Sequence, residues 1–160
     1  MKRLLMTLAA LTAFPAHAQD IPAPLDLGPQ EALTIVTQNG SHDFMVDIAD
    51  ETDEQIRGLM FRESMDKDKG MLFEFAEPKV SSIWMKNTAI SLDILFVRSN
   101  GKILKIAHSA VPYSLRSASS EGIVGAVLEI NGGLARELDI QAGDIIHHEF
   151  FGNAKPKIDE

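Results

Sequence analysis

Two Asn-Gly dipeptides, each between short β-forming stretches, constrain the fold of this chain more than any other sequence feature. Asn39-Gly40 follows residues 33–37 and precedes residues 43–48, where apolar and polar side chains largely alternate. Asn-Gly favours the type I′ turn of a tight hairpin because both residues tolerate positive φ. The period of two indicates a strand with one buried face. Asn100-Gly101 repeats the arrangement between residues 90–97 and 103–107, so the sequence predicts two β-hairpins.

One short α-helix is predicted over about residues 52–60. Thr52 is a suitable N-cap and Gln55 completes a capping box. Its apolar residues recur at i, i+3 and i+4, which is typical of a buried stripe. That stripe consists of Ile56, Leu59 and Met60. Gly58 disfavours a helix interior and predicts close packing or an early end.

The remaining chain reads as further short strands separated by turn residues. Residues 109–125 are rich in Ser, Gly and small side chains and predict a long loop, whereas residues 134–138 predict at most a short helix. The last strand is expected over residues 145–151. Short strands with one helix predict a mainly β fold, a small antiparallel β-sandwich or barrel.

The N-terminus has the pattern of a secretory signal peptide. Lys2 and Arg3 precede an apolar stretch of eleven residues, 4–14, and Ala16-His17-Ala18 supplies a small-x-small cleavage motif. The stretch is shorter than the ~20 residues that a transmembrane helix needs. We therefore expect cleavage after Ala18, a periplasmic or secreted product, and no membrane span in the mature chain.

Composition then limits the class of protein. Residues 19–32 are expected to form an extended leader, residues 33–151 one β domain, and residues 152–160 a polar tail. The formal net charge of −8 and the lack of a basic run argue against nucleic-acid binding. The absence of Cys excludes disulfides, thiol catalysis, thiolate metal sites and a lipid-modified Cys.

Five segments in a fixed order carry a resemblance to a known family. These are Arg57-Gly58-Leu59-Met60-Phe61-Arg62, Gly70-Met71-Leu72-Phe73-Glu74-Phe75, Ile83-Trp84-Met85-Lys86-Asn87-Thr88 with Ile90 to Phe96, Val127 to Gly133, and Gly143-Asp144. Over residues 33–151 the chain resembles the DUF192 family, an uncharacterised conserved domain. One departure is Ser91, where the family commonly has Pro. The resemblance implies a mainly β, sandwich-like fold and supplies no function.

Two carboxylates lie within apolar strand patterns. Asp93 falls inside residues 90–97 and Glu129 inside residues 126–130. A buried carboxylate is expected to be protonated or paired, because an isolated charge in a core costs several kcal/mol. Arg57 and Lys86 are candidate partners. The four groups could form a structural ion-pair cluster, the floor of a polar pocket, or a catalytic acid–base pair.

Residues 84–88, Trp-Met-Lys-Asn-Thr, form a second candidate site. In an extended backbone Trp84, Lys86 and Thr88 would share one face. An indole beside an ammonium and a hydroxyl suits a flat polar ligand such as a sugar. The alternative is a core Trp with a snorkelling Lys and with Asn87 in a turn.

Our leading interpretation is a protein that binds a small polar ligand, or an extended segment of a partner, without a cofactor. The candidate binding residues are Arg57, Trp84, Lys86, Asn87, Asp93 and Glu129. A hydrolase or lyase that uses Asp93 and Glu129 is one alternative, although no familiar catalytic motif is present. Periplasmic Cu(I) binding is a second alternative. Its thioether and imidazole ligands would come from Met45, Met60, Met65, Met71, Met85, His108, His147 and His148. A structural module without a pocket is the third.

Overall fold

The computed structural model describes residue 25 and residues 27–154, so the predicted signal peptide lies outside the described residues. Seven strands dominate the fold. The strands are β1 (Glu31–Thr37), β2 (Gly40–Ala49), β3 (Lys69–Ile83), β4 (Leu92–Val97), β5 (Ile103–Ala110), β6 (Ala118–Asn131) and β7 (Ile145–His147). The helices are α1 (Thr52–Arg57), α2 (Leu134–Glu137) and a 3₁₀ turn at Glu149–Phe151. None of the helices in this part of the chain is long and apolar enough to cross a membrane.

The strands form one curled sheet in the order β5-β4-β6-β3-β2-β1-β7. Neighbouring strands are antiparallel except β2 and β3, which are parallel. The two edges approach each other where Lys102 pairs with Ile145 and the Ile103 amide donates to the Asp144 carbonyl at 2.9 Å. The prediction of a mainly β, largely antiparallel and barrel-like fold is confirmed.

Both predicted hairpins are present, but the first turn differs from the prediction. Thr37 pairs with Gly40, so the loop residues are Gln38 and Asn39. Neither of them has a positive φ, and the type I′ turn was therefore wrong. In the second hairpin Gly101 has a φ of 82°, and a Cβ there would lie 2.3 Å from the Ile146 carbonyl oxygen. Gly101 thus lets the β4–β5 turn approach β7, where the sheet edges meet.

Helix α1 is shorter than predicted and is capped differently. Its N-cap is Glu51 rather than Thr52, and Glu54 Oε2 accepts from the Glu51 amide at 3.1 Å. The helix ends at Arg57 because Gly58 has a φ of 47°, and a Cβ on Gly58 would lie 3.1 Å from the Phe73 ring. Both consequences expected of this glycine, close packing and an early end, are therefore present.

Two apolar clusters lie on opposite faces of the sheet. The inner cluster fills the curl with side chains from all seven strands and is closed by Leu134 and Ala135 of α2. The outer cluster lies on β3, β4 and β6, and is covered by Leu59 after α1 and by Met85 after β3. Ile56, expected in the buried stripe, is exposed instead.

Two loop predictions need correction. β5 continues to Ala110 and β6 begins at Ala118, so the long loop expected over residues 109–125 is confined to residues 111–117. The backbone does not stay extended through residues 84–88, because β3 ends at Ile83 and Asn87 has a φ of 55°. Trp84, Lys86 and Thr88 consequently do not share a strand face.

Candidate functional site

A pocket of about 150 Å³ lies between α1 and the outer face of the sheet. We call it the α1 pocket. Its floor comes from β3 and β6, and its walls come from α1 with the residues that follow it and from the end of β3. It is lined by Gln55, Ile56, Arg57, Gly58, Leu59, Met60, Phe73, Ser82, Ile83, Trp84, Thr88 and Glu129. Three of the six predicted site residues, Arg57, Trp84 and Glu129, are among them.

Glu129 supplies the acidic group of the α1 pocket. It pairs across the sheet with Met71 on β3 and with Ile94 on β4, so its side chain points to the outer face between apolar neighbours. Its exposure is 4%. Within residues 27–154 no hydrogen bond or ion pair is found for its carboxyl group. Burial raises the pKa of Glu129 from 4.5 to about 8, so the group is mainly protonated at neutral pH.

Arg57 and Trp84 form parts of the pocket wall. The Arg57 guanidinium lies over the Phe61 ring, 4.8 Å from its centroid. Trp84 is half-exposed, and the Lys86 ammonium lies 5.3 Å from the centre of its indole. The indole therefore presents one apolar surface to the pocket and to solvent, rather than lying in the core.

Lys86 and Asn87 lie beside the α1 pocket but do not line it. Both belong to the turn that follows β3. The Asn87 carbonyl accepts from the Phe61 amide at 2.8 Å, and the Asn87 amide group donates to Met60 Sδ at 3.9 Å. These contacts hold the residues after α1 against the turn. Asn87 thus positions the wall of the pocket, in agreement with the turn role considered for it.

Asp93 lies on the other face of the sheet. It is fully buried, and its two oxygens accept from the amides of Ser109 at 2.7 Å and Ala135 at 2.8 Å. Since Ile94 pairs with Glu129, the side chain of the preceding residue points into the inner face. The structure therefore does not bring Asp93 together with Glu129. Instead, Asp93 on β4 joins α2 to β4 and β5.

A second group of titratable residues, around the buried His148, was not anticipated. His148 is buried, with Nε2 at 3.2 Å from Glu31 and Nδ1 at 3.6 Å from Glu74. Burial, together with the charges of Glu31 and Asp50, raises the pKa of Glu74 to about 7. Burial also lowers the pKa of His148. No sequence signal pointed to this cluster, because it joins β1, β3 and the residue after β7.

The His and Met residues considered for copper lie in different surroundings. Met71 and Met85 are packed in the outer cluster. His147 Nδ1 lies 2.6 Å from the Asn153 carbonyl oxygen, and His108 is near Asp93. In the described part of the chain, no three His, Asp or Glu side chains are grouped so that they could hold a metal ion.

These features define a mainly β domain with a small pocket on the outer face of its curled sheet and a buried acid in that pocket. The chain belongs to the DUF192 family, described as an "uncharacterized ACR", whose model matches residues 34–148. The predicted resemblance is confirmed.

Two solved structures are similar over nearly their whole length. One, a protein from Novosphingobium aromaticivorans described as of unknown function, is 36% identical with a TM-score of 0.75. The match covers 87% of this chain and 100% of that one. The other, from Sinorhizobium meliloti and described as a "putative transcription regulator", is 35% identical with a TM-score of 0.76, over 80% of this chain and 99% of that one. Among curated proteins none matches.

Proposed function

We propose that the protein binds a small ligand in the α1 pocket, with Glu129 as the polar contact and Trp84 as part of the apolar wall. One observation carries the proposal. A carboxyl group that is almost fully buried lines a cavity and makes no hydrogen bond within residues 27–154. An acid placed only for stability would be expected to have partners, as Asp93 has.

The chemistry of Glu129 indicates what the ligand must offer. A protonated carboxyl group can donate one hydrogen bond and accept another. A ligand that closed the pocket over this group without pairing it would lose about 1–3 kcal/mol. A ligand that supplies a carbonyl, hydroxyl or amide at this point recovers part of that free energy. The pocket therefore favours a neutral polar group over an anion near Glu129.

The size and lining of the pocket indicate the rest of the ligand. Its volume of about 150 Å³ is comparable to engineered apolar cavities that bind benzene. Leu59, Phe73 and Ile83 surround the space with apolar surface. We therefore expect a single ring, or a group of similar size, that carries one neutral polar substituent. An amide-bearing or aromatic side chain of a partner segment has the same chemistry.

The test compares two ring compounds of similar size, benzamide and toluene. Binding is followed by the fluorescence of Trp84, which is the only Trp of the chain, at pH 6, where Glu129 is protonated. We expect the protein to bind benzamide more tightly than toluene. In Glu129→Leu this preference should disappear or reverse, because the polar contact is replaced by apolar surface.

Glu77→Leu is the matched control, since Glu77 is exposed on β3 and does not line the pocket. It should keep the preference for benzamide. A chain that responds to neither compound, or a Glu129→Leu variant that retains the preference, would show that the pocket does not work in this way. Urea unfolding of each variant verifies that the fold is retained.

A further inference from the structure

Charge is distributed very unevenly along this acidic chain. Residues 78–120, which include the end of β3, all of β4 and β5 and the start of β6, contain six of the 15 Lys and Arg residues but one of the 23 Asp and Glu residues. That single acid is Asp93, which is fully buried. The exposed charges of this segment are therefore all basic, whereas the rest of the chain has nine basic and 22 acidic residues.

Large apolar side chains are exposed in the same segment. Val111, Tyr113 and Leu115 alternate along the β5–β6 loop, and each is more than 60% exposed. The loop is attached to the turn after β3 by two backbone hydrogen bonds. The Met85 amide donates to the Ser114 carbonyl at 3.0 Å, and the Tyr113 amide donates to the Thr88 carbonyl at 3.1 Å. These bonds place the loop beside the half-exposed Trp84.

We define the basic apolar face as the exposed apolar and basic residues of this loop and turn. It consists of Trp84, Lys86, Val111, Tyr113, Leu115 and Arg116. The α1 pocket shares only Trp84 with it. The face contains two aromatic residues, two aliphatic residues and two basic residues, and it has no acidic residue.

We propose that the basic apolar face docks the protein onto an anionic membrane surface. Trp and Tyr concentrate at membrane–water interfaces because their rings are amphipathic. Lys and Arg near such a surface each add about 1 kcal/mol of attraction to anionic lipids. The acidic remainder of the chain is repelled by the same lipids, so charge alone orients this face toward them. Val111, Tyr113 and Leu115 project into solvent, and a headgroup layer can deform around side chains that project in this way.

The test is cosedimentation with vesicles. We use the chain from Gln19 onward, because it retains every described residue and lacks the apolar stretch 4–14. Vesicles of phosphatidylcholine alone are compared with vesicles that contain about one third phosphatidylglycerol. We expect binding to the mixed vesicles only, weakened by added salt, with a change in Trp84 fluorescence on binding.

Two double variants separate the contributions of charge and apolar contact. In Lys86→Gln/Arg116→Gln, binding should weaken on the order of 25-fold, since about 1 kcal/mol is roughly fivefold for each basic residue. Lys67→Gln/Arg136→Gln is the control with the same net charge. Both of its residues are exposed outside the face, and it should bind nearly as well as the parent chain. Tyr113→Ser/Leu115→Ser should weaken binding even at low salt.

Three results would overturn the proposal. The first is the absence of binding to mixed vesicles. The second is equal weakening by the face pair and the control pair, which would indicate attraction by net charge alone. The third is tight binding of polyglutamate together with no binding to vesicles, which would indicate that the face binds an acidic protein. Since all substituted side chains are exposed, thermal unfolding should be nearly unchanged in every variant, and this measurement excludes misfolding as the cause.

Discussion

Replacing Glu129 by Gln should make the protein more stable at alkaline pH while changing the pH trend little below pH 4.5. Gln has nearly the same shape as a protonated Glu but cannot ionise. In the folded chain the pKa of Glu129 is raised from 4.5 to about 8 by burial. Between these two values the folded state holds a proton that the unfolded state has released. The parent chain therefore loses stability as pH rises through this interval, and the Gln variant lacks that loss.

The magnitude follows from the size of the interval. Each pH unit between 4.5 and about 8 should increase the stability of Glu129→Gln relative to the parent by about 1.4 kcal/mol. The total reaches on the order of 5 kcal/mol above pH 8. Any fixed cost of burying an amide in place of an acid shifts the whole difference curve but leaves its slope unchanged. Other titrating groups are common to both chains and cancel in the difference.

Urea unfolding followed by Trp84 fluorescence between pH 4 and pH 9 measures this curve. Glu77→Gln, which replaces an exposed acid on the neighbouring strand, is the control variant and is measured beside it. A flat curve for Glu129→Gln would refute the reasoning, since it would mean that the carboxyl group is solvated or paired in solution. Equal m-values in the two chains are required for the comparison.

Three further perturbations test other parts of the structure. Gly58→Ala should destabilise the fold by about 2 kcal/mol, because a positive φ and contact with Phe73 both oppose a Cβ. Gly133 also has a positive φ, but a Cβ there would meet no other atom, so Gly133→Ala should cost about 1 kcal/mol. Urea unfolding of both measures the difference, and equal losses would contradict the packing argument. Asp93→Asn should lower the free energy of unfolding by about 2–4 kcal/mol, since an amide side chain cannot accept hydrogen bonds at both positions. The variant should bind benzamide as the parent does. Weaker binding by a folded variant would place Asp93 in the site. Glu74→Gln should become more stable than the parent as pH rises from 4.5 to about 7, and a difference independent of pH would mean that Glu74 is not shifted.

Much of the fold could be predicted because its signals are local. Asn100-Gly101 fixes a turn through backbone conformation, and Gly58 ends α1 through its own φ. The error at Asn39-Gly40 is also local. Because Thr37 pairs with Gly40, the two-residue loop lies one residue earlier than predicted, and the strands are unchanged. The length of β6 was missed because Ser and Gly in residues 118–125 resemble a loop, and only pairing with β3 makes them a strand.

The composition of the site was harder to predict, because it depends on which face of the sheet a residue occupies. Asp93 and Glu129 were both expected to be buried, and both are. In a strand that is apolar on both faces, however, alternation is lost and the sequence does not say which way a given side chain points. The register between β4 and β6 decides which face each side chain occupies. Glu129 pairs with Ile94, so Asp93, one residue earlier on β4, points to the opposite face.

That difference of one residue separates two chemical roles for the same functional group. On the inner face, the amides of Ser109 and Ala135 satisfy both oxygens of Asp93, and the carboxyl group joins elements that are distant in sequence. On the outer face, Glu129 lines the α1 pocket, where no described residue forms a hydrogen bond with its carboxyl group. Its burial raises its pKa without a compensating contact, so the folded chain is less stable at alkaline pH than it would be with Gln. A carboxyl group that opposes the stability of the folded chain is one whose free energy a bound ligand can lower. The candidate site is therefore assigned to Glu129 and not to Asp93.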